Sequence, residues 1–316
     1  MPSVIILGAK GRFGRAVATA FKAAGWTVTE QARHWPDADR AAHRVALSCD
    51  DASALTQAVM GHDVIVNALN PPYPEWSVQV PRLTDAVLEA ARVSGATVMI
   101  PGNVYNYGAD MPPVLSETTP WRAQTRKGRI RIRMETAYRE SGVQTIVLRG
   151  GDFLEAERTG NWFDSHIAAK AWTGKLTYPG ARGVVHTWAY LPDMARAMVE
   201  LADIRSSLGQ FEEFGFGGYA VDGDTLIAAV EAVTGKRMRV ASMPWSVMRL
   251  MGLFSPLVRE VMEMRYLWDV PHRVDQSKLE AALPAFQSTP FETAIAACLA
   301  PHAPGATSAL AHRHLA

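Results

Sequence analysis

The 316-residue chain sets 32 Lys and Arg against 31 Asp and Glu, a net charge of +1 with the two signs well mixed, which argues against nucleic acid as the main partner. Cys49 and Cys298 lie far apart and fit neither a disulfide framework nor a metal motif, and no His-Glu-x-x-His occurs, so no metal site is expected. No apolar run reaches membrane-spanning length and the sequence opens on a strand pattern, so no membrane partner and a cytoplasmic location are expected.

The first element is a short apolar strand ending at Leu7. It runs into Gly8-Ala9-Lys10-Gly11-Arg12-Phe13-Gly14, and a helix follows with Phe13, Val17, Ala20, Phe21 and Ala24 on one face. Gly8 permits a sharp turn, Gly11 leaves room for a pyrophosphate, and Gly14 lets helix and sheet pack closely. The unpaired amides and dipole of the helix attract phosphate. Strand, turn and amphipathic helix in this register point to a bound dinucleotide.

Gly25 ends the helix, and further strands are expected at Trp26 to Gln31, Arg44 to Leu47, Val64 to Val66, Thr97 to Ile100 and Thr145 to Leu148. Helices are expected at about Ala52 to Met60, Val78 to Ser94 and Thr125 to Ser141. Near-continuously apolar strands alternating with helices predict an α/β fold, a doubly wound parallel Rossmann sheet. Its functional loops should follow Leu7, Gln31, Asn67, Ile100 and Leu148.

From Gly151 the alternation fails and aromatic residues, Gly and Pro become frequent. Leu191-Pro192-Asp193 opens a helix with Asp193 as a candidate cap, and another helix runs from about Thr225 to Thr234. Met248, Met251, Met262 and Met264 have helical spacing that predicts core packing, with an adaptable apolar pocket as the alternative. Residues 1–150, with about 184–202, are expected to form the dinucleotide domain. Residues 151–183 and 203–300 should form a smaller substrate-binding cap, and 301–316 a mobile tail.

An acid ending the second strand would favour NAD, but that region reads Glu30-Gln31-Ala32-Arg33. Lys10, Arg12 and Arg33 converge where a 2′-phosphate would lie, so NADP(H) is expected to be preferred over NAD(H).

The layout resembles the extended short-chain dehydrogenase/reductase superfamily, the group of NAD-dependent epimerases and dehydratases. The resemblance rests on Gly8, Gly11 and Gly14, Val64-Ile65-Val66-Asn67-Ala68, Val104-Tyr105-Asn106-Tyr107-Gly108, Leu148 to Phe153, and His186 to Asp193. It implies a nicotinamide floored by Ala68 and Leu69. It also implies a Ser or Thr after the fifth strand and a Tyr-x-x-x-Lys on the next helix, where this chain has Asn103, Lys127 and Arg131. The customary acid is absent, which marks an atypical member.

Arg131 is the candidate to hold the ribose, and Lys127, Tyr105 or Tyr107 to supply a proton. Asn103 is the candidate to polarise a carbonyl, and Tyr107, Asn161, Trp162, His186 and Trp188 are the candidates to bind substrate. The expected activity is NADP(H)-dependent reduction of a carbonyl or conjugated double bond on a small molecule. A non-catalytic NADP(H)-sensing regulator and a sugar-nucleotide epimerase or dehydratase are the alternatives. The helices at 78–94 and 125–141 are candidates for a homodimer face.

Overall fold

The computed structural model describes residues 1–36 and 43–305. In chain order the strands are β1 (Ser3–Leu7), β2 (Thr27–Ala32), β3 (Arg44–Ala46), β4 (Val64–Asn67), β5 (Thr97–Gly102), β6 (Val114–Leu115) and β7 (Thr145–Arg149). They continue with β8 (Asp152–Leu154), β9 (Lys175–Tyr178), β10 (His186–Tyr190), β11 (Phe211–Gly215), β12 (Tyr219–Val221), β13 (Arg239–Ser242) and β14 (Arg273–Val274). The helices are α1 (Arg12–Ala23), α2 (Ala52–Val59), α3 (Trp76–Ser94), α4 (Arg126–Glu140) and α5 (Leu191–Asp203). After them come α6 (Gly223–Thr234), α7 (Trp245–Met251), α8 (Pro256–Glu263), α9 (Ser277–Ala282) and α10 (Phe291–Leu299).

The central sheet is parallel and ordered β11-β7-β5-β4-β1-β2-β3. Its strands are apolar at nearly every position because both faces are covered. Val4, Ile6, Val64, Val66 and Leu148 pack under α1 and α5, while Ile5, Leu7, Ile65, Val98 and Val147 pack under α2, α3 and α4. The six expected strands occur within a residue or two of their expected ends. The seventh, β11, escapes a search for apolar runs because its centre is Glu212-Glu213. Glu213 is buried there against Arg149 of the neighbouring strand.

After β7 the chain crosses into a second layer with its own aromatic core, which includes Phe163, Trp188, Leu226, Trp268 and Ile295. It returns through β10 into α5, which packs beside α1.

Two expectations need correction. Tyr190, not Asp193, is the cap of α5. The Asp193 carboxylate instead accepts from the Thr289 amide at 2.6 Å and hydroxyl at 2.8 Å, and so anchors a distant loop. The Met-rich segment forms α7 and α8, neither of which buries a residue, so of its four methionines only Met264, just past α8, packs in a core. Of the expected tail, residues 306–316 lie outside the described residues, and Ala300–His302 form a 3-10 turn.

Candidate functional site

The chain leaves β1 at Gly8, whose φ of +76° disfavours a side chain and where a Cβ would stand 3.0 Å from the Ala68 carbonyl oxygen. Gly14 lies so close beneath this bend that a Cβ there would come within 2.3 Å of the Gly8 carbonyl oxygen. Gly11 is the cap of α1, provides no side chain to the first-turn amides, and no acid stands in that turn. The helix therefore opens with uncapped N–H groups at the positive end of its dipole, which fits the phosphates of a dinucleotide. Phe13 is buried and stacks on Phe153 with ring centres 6.3 Å apart, so its side chain serves the core. Ala68 and Leu69 border the turn, the Ala68 amide donating to the Leu7 carbonyl at 3.0 Å and the Leu69 amide to Asn67 Oδ1 at 3.1 Å.

At the end of β2, Gln31 is turned inward. Its Oε1 accepts from the Gly8 amide at 2.9 Å and its Nε2 donates to the Leu47 carbonyl at 2.7 Å. Glu30 pairs with Lys22 and Arg44; burial alone would raise its carboxyl, but these cations hold it below the usual range. Arg33 is exposed just past the strand, and Lys10 Nζ reaches the carbonyl of the next residue, His34, at 3.4 Å. Arg12 turns elsewhere. Its Nε donates to the Thr159 carbonyl at 3.2 Å and lies 3.9 Å from Glu155, tying the glycine turn to a loop of the second layer.

Thr125 caps α4 through the Gly128 amide at 3.1 Å, which fixes where Lys127 and Arg131 stand. Lys127 is 0% exposed, its ammonium held between Glu260 and Glu263 of α8 and 5.2 Å from the ring centre of Tyr73. Arg131 donates from Nη2 to the Pro101 carbonyl at 2.6 Å and lies 3.2 Å from Glu135, while its buried Nε has no partner. Burial lowers the Arg131 pKa, and Glu135 opposes that shift.

Beneath the loop after β5 lies a sealed ionic cluster. Arg149, 1% exposed, bonds Glu213 at 2.7 Å, Glu135 at 2.5 Å and the Asn103 carbonyl at 2.5 Å. Tyr107 joins this underside, its buried hydroxyl 3.4 Å from the Ser116 carbonyl and from Glu213. The Asn103 side chain is engaged locally, accepting from the Tyr105 amide at 3.0 Å.

Tyr105 is half-buried on the other side of this loop, away from the cluster's hydrogen bonds. Its hydroxyl lies 3.2 Å from that of Tyr73, on the loop after β4. Burial pushes the Tyr105 phenol well above its ordinary value, and neighbouring Tyr73 and Asp152 add to the shift. Tyr73 is raised too, chiefly by burial, with the charges of Arg12 and Arg131 opposing.

In the second layer His186 is buried, its Nε2 2.9 Å from Asp152 Oδ2 and its ring stacked 4.2 Å from Trp268. Through Asp152 it reaches the neighbourhood of Tyr105. Trp188 and Asn161 build the interior instead. Trp188 is fully buried beside Phe163, and Asn161 accepts from the Asp164 amide and donates to Glu155, both at 2.9 Å. Half-buried Trp162 packs on Trp268 at 5.5 Å and Trp245 at 6.2 Å. Among the described residues no group of three or more His, Cys, Asp and Glu is placed to hold a metal ion.

Tyr73, Glu260 and Glu263 lie outside the residues that the sequence points to, and Asp152 enters there only as part of the Leu148 to Phe153 motif, without a role. Tyr73 had a local signal, the Pro71-Pro72 pair directly after an apolar strand, and Asp152 sits beside the glycines that end β7. The glutamates had none, because Glu260 lies 133 positions from the lysine it meets.

Residues 4–214 match the NAD dependent epimerase/dehydratase family. No curated protein gives a match. Among solved structures, L-threonine 3-dehydrogenase from Trypanosoma brucei superposes with a TM-score of 0.77 at 15% identity, over 95% of this chain and 96% of its own. UDP-N-acetylglucosamine 4-epimerase from Bacillus cereus gives 0.73 at 15% identity, over 94% and 95%. MoeE5, solved with UDP-glucose and NAD, gives 0.72 at 17% identity, over 94% and 97%. Likeness at this identity is a likeness of fold.

Proposed function

The chain belongs to the NAD-dependent epimerase/dehydratase family, and from that premise we propose that it is an NAD(P)H-dependent reductase acting on a carbonyl, or a double bond conjugated to one, of a small molecule. The observation that carries this reading is the Tyr105–Tyr73 hydroxyl pair, 3.2 Å apart at the carboxyl edge of the sheet. Burial holds the Tyr105 phenol well above its ordinary pKa, so it enters the reaction protonated, as a weak acid with a proton to give and not as a phenolate ready to remove one. Tyr105 donates to the substrate oxygen or carbon, and Tyr73 is placed to restore the proton. Arg131 stands where the family's lysine would, with an unpartnered Nε that supports a role at the ribose hydroxyls. A bound nicotinamide supplies the reducing equivalent. Lys127 has its charge engaged by two carboxylates and takes no part.

Preference for NADP(H) belongs to the same proposal. It is supported by Lys10 and Arg33 bordering one exposed corner and, among the described residues, by no acid there, since Glu30 is paired with Lys22 and Arg44. Replacing Lys10 and Arg33 by Ala should weaken NADPH binding far more than NADH binding. Equal losses remove the preference.

The family match favours a second reading, a sugar-nucleotide epimerase or dehydratase. Such reactions open by removing a hydroxyl proton, which the Tyr105 environment disfavours.

NADPH and NADH titrations, followed by NADPH oxidation against aldehydes, enones and UDP-sugars, separate the readings. The reductase reading expects net NADPH consumption, and Tyr105→Phe should lower turnover about 100-fold with cofactor affinity kept. Epimer formation without net consumption supports the second reading. Tight binding with no turnover on any substrate supports a sensor.

A further inference from the structure

The hairpin α7–α8 carries most of the large apolar side chains that the fold leaves in water. Val247, Leu250, Met251, Leu253, Phe254 and Leu257 are all exposed, Phe254 at 85% and Leu253 at 68% on the connecting turn. Neither helix buries a residue, so these side chains are not the outer fringe of a core. From Trp245 to Arg259 the chain holds two arginines, Arg249 and Arg259, both exposed, and no acid. The acids that follow, Glu260 and Glu263, turn inward to Arg126 and Lys127. The outward surface is therefore an apolar tip flanked by uncompensated positive charge.

We propose that this hairpin is an interfacial membrane anchor, its tip entering the headgroup–acyl boundary of an anionic bilayer with Arg249 and Arg259 at the phosphates. No described helix is long and apolar enough to cross a membrane, so the association is with one leaflet. The charge pattern selects this occupant over a second copy of the chain. A two-fold contact through the tip would bring four arginines together without a facing acid, whereas an anionic surface neutralises each of them. Because the base of α8 holds Lys127, one turn of α4 before Arg131, the anchor brings that end of the proposed site towards the bilayer. On the reductase reading, that favours an apolar, membrane-dissolved substrate.

Flotation of the full chain with phosphatidylcholine vesicles, with and without phosphatidylglycerol, tests the anchor without reference to activity. Binding is expected only with phosphatidylglycerol and should weaken as salt rises. The double substitution Leu253→Ser, Phe254→Ser should lower the bound fraction roughly tenfold or more while the melting temperature holds. Arg249→Gln with Arg259→Gln should do the same for anionic vesicles. Failure of the wild-type protein to float with anionic vesicles overturns the proposal. So does a wild-type dimer that the serine variant converts to monomer, because the tip then belongs to a second copy. Neither result bears on NADPH turnover, so the reductase reading stands or falls separately.

Discussion

Helix α4 meets two ionic clusters of similar chemistry and very different character. At its start, Arg126 and Lys127 face Glu260 and Glu263; further along, Arg131 and Glu135 face Arg149 and Glu213. The first sets two cations against two carboxylates; the second adds a third cation, exposed Arg139, 3.7 Å from Glu213. The second is sealed within the strand–helix frame, with Arg149 and Glu135 both excluded from water. The first joins the frame to a helix that buries nothing, and its glutamates remain in part open to water. Similar chemistry thus gives one cluster that belongs to the folded core and one that fastens a peripheral hairpin.

The largest effect should come from breaking the sealed cluster. Arg149→Met leaves Glu135 and Glu213 facing each other without their shared cation and frees the Asn103 carbonyl. A loss of about 3–5 kcal/mol in urea denaturation is expected. A loss below about 1 kcal/mol would place this cluster with ordinary surface pairs.

Acid separates the two regions without mutation. His272 is buried against His186 in the segment that follows α8, and its amide bonds the Val185 carbonyl at 3.1 Å. Burial, then His186, lower its pKa from 6.5 to about 4. The unfolded chain therefore takes up the proton at higher pH than the folded one. Stability is full above about 6.5, falls as pH drops towards 4, and levels below, a loss of at most ~3 kcal/mol. His272→Gln should flatten this part of the pH–stability curve. Hydrogen exchange should quicken first near 264–275, before the central sheet. A wild-type curve already flat between pH 6.5 and 4 would show that His272 titrates normally.

The same contrast explains what could be read from the sequence. β1, the glycine turn and α1 are legible because strand, turn and helix are local and each glycine has a local reason. Tyr105 was visible for the same reason, on a loop straight after an apolar strand. The roles of Asn103 and Asn161 were not, since a capping asparagine and a substrate-facing one look alike until the amides that donate to them are placed. β11 was hidden by Glu213, whose burial depends on a strand 64 positions earlier. The α7–α8 methionines misled because helical spacing specifies an apolar face and not what covers it.

The smallest effect on global stability should come from the peripheral cluster, and it is the most decisive. Glu260→Gln with Glu263→Gln leaves the Lys127 ammonium without a carboxylate. Were α8 as fixed as the frame, a buried, uncompensated cation would cost as much as the Arg149 variant does. The hairpin, however, buries no residue fully and keeps only half-buried Trp245 against the second-layer core, so α8 should lift and let water reach Lys127. Urea stability should then fall by only about 1 kcal/mol, while exchange across 245–263 rises sharply. Raising salt on the wild-type protein should give a weaker version of the same pattern. If the double variant instead loses as much stability as Arg149→Met and exchange over 245–263 is unchanged, both clusters are parts of one core, and α8 is not a fastened, movable element.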